Sequence, residues 1–132
     1  MRLRKAIDYA IDRDEFVRVL SNGQGGWGMP GAFSDTWTQD EIKQILKYDP
    51  AQAKKLMAEA GYPNGFETKF LIRGNDGGEL LRTQAQLLQA QLKKVGINMT
   101  LDITPDKASG AKRLYAGDFD LIAINKALYG DV

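Results

Sequence analysis

The sequence has no cysteine and no histidine among its 132 residues. Without cysteine there are no disulfides and no thiolate chemistry, and the redox compartment is left open. Without histidine, the imidazole general base and the imidazole metal ligand are both missing. Ser21, Ser34 and Ser109 therefore have no partner for a Ser-His-Asp triad. A charge bias is missing too. Eighteen basic side chains stand against 17 acidic ones, for a net charge of +1. Nucleic-acid and anionic-membrane partners both leave a strong basic surplus, so neither is expected. No run reaches the length of a membrane span. The basic start Met1-Arg2-Leu3-Arg4-Lys5 resembles the first part of a signal peptide, but Asp8 and Asp12 interrupt any apolar run behind it. It reads instead as a helix already under way, as in a chain cut from a longer one.

What is present is ordinary for a globular domain: 43% hydrophobic and 27% charged residues. The length suggests one domain, residues 1–132, able to bury roughly two-thirds of its unfolded surface. Leu3, Ile7, Ala10 and Ile11 recur at helical spacing. Asp12 followed by Glu15, and Thr38 followed by Glu41, are capping-box patterns that open two further helices. Phe16, Val17, Val19 and Leu20 supply the apolar residues of the first of these, and Asn22-Gly23 ends it. Asp49-Pro50 starts another helix and Gly61 stops it. Phe66–Ile72 reads as a strand. Glu79–Lys94 is the clearest helix, with Leu81, Ala85, Leu88, Leu92 and Val95 on one stripe. Ile97, Met99, Leu101 and Ile103 alternate strictly with polar residues, which gives a second strand. A helix over roughly 106–116, a turn at Gly117 and a third strand from Phe119 to Asn125 complete the order. Strand-helix-strand units imply parallel pairing and right-handed crossovers. The expected fold class is therefore α/β: an open, mostly parallel sheet with helices on both faces, preceded by an N-terminal helical segment.

Residues 23–31 carry five glycines and a proline, and Trp27 and Trp37 flank the region. A glycine-rich loop with aromatics is often functional; the alternative is a surface wrap that pins itself with its tryptophans. Gly23-Gln24-Gly25-Gly26-Trp27-Gly28 loosely resembles a phosphate loop, but it follows a helix and lacks the closing Gly-Lys-Ser/Thr. Asp12, Asp14 and Glu15 are explained by capping. Asp118 and Asp120 are ordinary turn acids at a strand entrance. Asp76 with its glycines resembles half of a calcium loop whose later ligands are missing. No metal or cofactor is expected, and catalysis by carboxylates alone has no supporting constellation.

Five stretches line up together. They are Arg4–Arg13 (RKAIDYAIDR), Tyr48–Leu56 (YDPAQAKKL), Glu59–Phe66 (EAGYPNGF), Ala85–Ile97 (AQLLQAQLKKVGI) and Gly117–Leu121 (GDFDL). In this order they resemble the family 5 extracellular solute-binding proteins, the dipeptide- and oligopeptide-binding components of ABC importers. The motifs themselves read as scaffold, since they start and stop helices. The resemblance implies a non-enzymatic binding lobe, part of the C-terminal lobe of a longer two-lobed parent with the periplasmic-binding-protein type II fold. It implies a peptide or small-solute ligand, an ABC permease reached through the full-length parent, and a periplasmic or extracellular, lipoprotein-like location.

Ligands of open α/β sheets bind beyond the carboxyl ends of the strands. That points to Arg73, Asn75 and Asp76 after the first strand, and to Asn125, Lys126 and Tyr129 after the third. The resemblance implies an arginine for the ligand carboxylate in the first of these loops. Arg73 is nearest and can bind bidentately, although a count back from Val95-Gly96 lands on Asn75. The alternative for Arg73 is a solvated strand end. Asp131 is the candidate for the family carboxylate that binds a peptide amino group. Here the sequence departs from the family, because Asn125-Lys126 stands where Gly-Trp is usual. Trp27 could stack on a ligand. With only half a cleft, the chain alone is expected to bind peptide weakly or not at all. The competing reading is a self-associating α/β interaction module, such as a homodimer burying the surface that the missing lobe would cover.

Overall fold

A computed structural model describes residues 2–27, 37–74 and 78–122. The described elements are α1 (Arg2–Ala10), α2 (Arg13–Ser21), α3 (Gln39–Ile45), α4 (Pro50–Glu59), β1 (Phe66–Ile72), α5 (Gly78–Lys94), β2 (Ile97–Ile103), α6 (Lys107–Ala116) and β3 (Leu121–Ile122). The sheet order is β2-β1-β3. Both pairings are parallel, with Phe66 opposite Ile97, Ile72 opposite Ile103, and Phe70 opposite Leu121. The expected open parallel α/β sheet is therefore the one observed.

The two crossovers explain the layering. From β1 the chain steps one way to β2 through α5. From β2 it steps back past β1 to β3 through α6. Right-handed crossovers in opposite directions put their helices on opposite faces of the sheet. The side chains agree. Ile97, Met99 and Leu101 join Phe70, Ile72, Leu81, Ala85 and Leu92 in the main core. Arg113 of α6 instead bonds Asp102, which points to the other face of β2. Ala6 and Ala10 of α1 and Ala53 and Met57 of α4 belong to the α5-side core, where small residues let the two helices approach closely. The amide of Asp49 donates to the Tyr9 carbonyl and ties these helices end to end.

The caps follow the sequence, with one instructive departure. Thr38 and Glu41 form a complete capping box. Asp12 accepts from the Glu15 amide, but the Glu15 carboxylate does not reach back to the cap. It accepts from Gln91 Nε2 at 2.6 Å instead. Gln91 is almost fully buried on α5 and also exchanges hydrogen bonds with the Asp12 main chain. The demand of a buried amide for partners outcompetes the second half of the box. α2 has no fully buried residue and Val19 is half exposed, so its apolar residues lie outside the core.

The third strand was expected over 119–125. Among the described residues its ladder covers Leu121 and Ile122 only, and residues 123–125 lie outside that set. Just ahead of it, Asp120 Oδ2 accepts from the Lys69 amide at 2.9 Å. A side-chain oxygen thus takes the place of a main-chain acceptor at the start of the pair. At the opposite edge, Gly65 (φ +85°) leads into β1 so close to the Gly96 carbonyl that any Cβ there would overlap it.

Candidate ligand-binding site

The carboxyl end of β1 is rigidly built. Ile72 ends the strand and accepts from the Thr104 amide at 3.0 Å. Gly74 follows in the left-handed region (φ +51°), and its amide donates to Thr104 Oγ1 at 2.8 Å. The same hydroxyl donates to the Asp106 carbonyl at 2.9 Å. Thr104 is buried, so this one side chain ties the exit of β1 to the loop between β2 and α6. A Cβ on Gly74 would lie 2.6 Å from the Asp106 carbonyl carbon, so only glycine fits.

Arg73 sits inside this clamp. It is half-buried, not a freely solvated strand end. Its stem lies under α6 where Gly110 leaves room: a Cβ on Gly110 would stand 2.7 Å from both Cβ and Cγ of Arg73. The direction in which Arg73 leaves the strand is thus fixed by a glycine 37 positions later, a contact with no local signal in the sequence.

Because the strands are parallel and the helices return antiparallel to them, the N-termini of α5 and α6 lie at this same end, and their dipoles favour negative charge there. α6 already has one: Asp106 caps it, accepting from the Ser109 amide at 2.7 Å and from its hydroxyl at 3.0 Å. The main-chain bond, then the hydroxyl bond, holds the Asp106 carboxyl below the usual aspartate value. On the flank of α6, Arg113 bonds Asp102 at 2.8 Å and Asp118 at 2.7 Å. The Asp102 bond is the larger reason that its pKa is raised. Leu80 on α5 and Ile103 on β2 are exposed at this end.

Of the candidate contact residues, Asn75, Asp76, Asn125, Tyr129 and Asp131 lie outside the described residues, as does Lys126. Trp27 is described, and it sits elsewhere. Its indole Nε1 donates to Asp14 at 2.8 Å. Its main chain exchanges two hydrogen bonds with the Gln39 side chain. Lys43 Nζ stands 5.2 Å from the ring centroid and Arg13 Cζ 5.9 Å. A shallow cavity of about 340 Å³ beside it is lined by Phe16, Val17 and Leu88. Trp27 therefore pins α2 to α3 over the α5 side, and nothing brings it to Arg73. Its fellow tryptophan, Trp37, is 43% exposed. Thr104 and Gly110 are the positioning residues that sequence reading missed. Asp106 was legible as a cap, but nothing local marks Thr104 or Gly110. Among the described residues no cluster of acidic side chains is arranged to hold a metal ion.

The sequence and fold have close counterparts. Residues 1–128 match the family described as bacterial extracellular solute-binding proteins, family 5 Middle. Heme-binding protein A of Haemophilus influenzae is 33% identical over 122 residues, covering 89% of this chain and 22% of that protein. Among solved structures, AgaA from A. tumefaciens R10, in complex with agropinic acid, superposes with a TM-score of 0.73 at 31% identity, over 93% of this chain and 25% of that one. The periplasmic binding protein DppA of Helicobacter pylori, in complex with the peptide STSA, gives 0.70 at 28% identity, over 92% and 22%. The chain thus spans about a quarter of the length of these relatives. Members of the family are substrate-binding transport proteins, and this chain belongs to the family 5 bacterial extracellular solute-binding proteins.

Proposed function

We propose that this chain forms part of the ligand-binding lobe of an ABC-importer solute-binding protein, and that it takes a peptide or similar small polar solute at the carboxyl ends of β1 and β3. One observation carries the placement. In the order β2-β1-β3 the two crossovers leave in opposite directions, and in such sheets the ligand crevice opens where the winding reverses. Arg73 stands at that point with its stem clamped under α6. Its guanidinium offers a planar fork for a carboxylate. Asn75 and Asp76 in the same loop, with Asn125, Tyr129 and Asp131 after β3, are the further contacts in this reading. Asp131 would take a ligand ammonium. Trp27 has no part in it, because its ring and main chain are occupied by α2 and α3.

The role is binding, not catalysis. The ligand would be handed to an ABC permease by the full-length parent, in the periplasm or outside the cell, with membrane attachment also supplied by the parent. No described helix is long and apolar enough to cross a membrane. Relatives named for heme and a complex with agropinic acid favour a family scaffold with an exchangeable ligand over a module whose sole role is self-association.

The test is an amide-shift titration of the chain with millimolar dipeptides and tripeptides. Shifts are expected at Arg73, Gly74 and the residues after β3, without saturation in the micromolar range, because a second lobe normally supplies half the cleft. Arg73→Ala should abolish them. Shifts confined to the α1–α4 side, or micromolar binding that survives Arg73→Ala, overturn the reading.

A further inference from the structure

α2 is attached unlike the other described helices. Each of those has a buried residue, whereas α2 has none. The chain enters it at Asp12. After a left-handed turn at Asn22 and Gly23 it comes back to the first turn of the helix, where the Trp27 indole Nε1 donates to Asp14, 13 positions earlier, at 2.8 Å. Residues 12–27 thus make a compact excursion whose two ends meet. Such a loop can come away without moving the chain on either side, because its entry and exit stay together. Its outer part is bare: Val19 is half exposed and residues 21–26 are exposed. Its underside is incompletely packed. The shallow cavity of about 340 Å³ is lined by Phe16, Val17 and Trp27 of the excursion and by Ile11 and Leu88 outside it. Side chains that face a void forgo part of their dispersion contacts.

The polar contacts that hold the excursion are concentrated at its base. Gln91, in the last turn of α5, accepts from the Asp12 amide at 3.0 Å. It donates to the Asp12 carbonyl at 3.1 Å and to the Glu15 carboxylate at 2.6 Å. Arg13 pairs with Asp8, Gln39 bonds the Trp27 main chain, and Lys43 stands 3.4 Å from Asp14. Gln39 and Lys43 are exposed, so their bonds compete with water, whereas Gln91 is only 1% exposed. We propose that residues 12–27 are a flap that opens from the domain in a single step while the α5 core stays folded, and that Gln91 is the latch that holds it shut. Opening breaks the bonds at the base and bares Ile11 and Leu88. A nine-residue helix off its support is too short to persist in water, so α2 melts as it leaves. Segments of this kind sit at the low end of a domain's range of local stabilities.

The experiment is native-state hydrogen exchange of the full 132-residue chain, in wild type, Gln91→Met and Ile72→Val. In wild type the amides of Val17 and Leu20 and the indole N–H of Trp27 should share one opening equilibrium, at least about tenfold more open than that of the Leu92 amide. Gln91→Met keeps the buried volume and strands the Asp12 amide, so it should raise the shared opening at least about tenfold. Ile72→Val weakens the core, which both the closed and the open flap retain. It should therefore speed exchange at Leu92 several-fold and leave Val17, Leu20 and the indole unmoved. Separate openings at the three flap groups would mean fraying and overturn the proposal. So would flap exchange that quickens with Leu92 in Ile72→Val, since the flap would then open only with the core. Unmoved flap exchange in Gln91→Met, or a Gln91→Met chain that does not fold, overturns the role of Gln91 as a latch on the flap alone.

Discussion

The two faces of the sheet are held by different physics. On the α5 face, Leu92 and Ile97 are fully buried, and the core extends through α1 and α4. On the α6 face, the helix itself buries only Gly110. Beside the fully buried Leu71, which β1 turns to this face, what holds α6 is a set of specific contacts: the Arg113 bonds to Asp102 and Asp118, the Asp106 cap, and the close approach of Gly110 to Arg73. Burial of apolar area is large and non-directional, whereas polar latches are individually modest and geometrically exacting. The difference teaches where stability and function separate. The α5 face makes the domain fold, and the α6 face aims the strand exit at which Arg73 stands.

The largest expected effect breaks the first half of that comparison. Leu92→Ala removes a fully buried side chain and leaves a cavity, so unfolding in urea should show a loss of about 2–5 kcal/mol. Gly110→Ala should cost less, about 1–3 kcal/mol, because the added methyl meets the Arg73 stem, which can shift only against the Thr104 clamp. The second effect is smaller in energy but should move the amide shifts of Arg73 and Gly74 further than Leu92→Ala does. If Leu92→Ala displaces them more, the division between a folding face and an aiming face is wrong.

The same division explains what could be read in advance. β2 was legible residue for residue, because Ile97 to Ile103 alternate, and Ile97 and Met99 on its apolar side are buried. Helix ends were legible where a cap has a chemical cause: Asp49, Thr38, Asp106, Gly117. Gln91 was not, since a glutamine on a helix reads as solvent-facing until Asp12 and Glu15 are brought to it from the far end of the chain. Trp27 was ambiguous for a similar reason. An indole in a glycine-rich loop suits a ligand or a self-anchor equally well, and the contacts with Asp14, Gln39 and Lys43 that anchor it come from elsewhere in the chain. The clamp on Arg73 depends on Thr104 and Gly110, which carry no local pattern. The scaffold motifs were thus readable because their causes are local, whereas the geometry at the strand exit is made by distant contacts.

The smallest effect sharpens the comparison with acid. Asp106 at α6 and Glu41 at α3 are exposed carboxylates whose pKa values are lowered, first by a main-chain amide, of Ser109 and of Thr38 respectively, and then by the matching hydroxyl. A carboxyl with a depressed folded pKa stabilises the fold above its unfolded value near 4, and that contribution is lost as pH falls through the folded pKa. Acidification below about pH 4 should therefore loosen the first turns of α3 and α6 while the α5 core is still intact. Read by amide shifts, Glu41, Ser109 and Gly110 should titrate below the ordinary carboxylate range, with Leu92 unmoved. Asp106→Asn keeps a capping side chain and removes the charge, so it should abolish the titration at Ser109 and leave that at Glu41 unchanged. Simultaneous loss of the Leu92 and Ser109 signals would mean that α6 is bound into the core as one unit, and that its polar latches add nothing separable from burial.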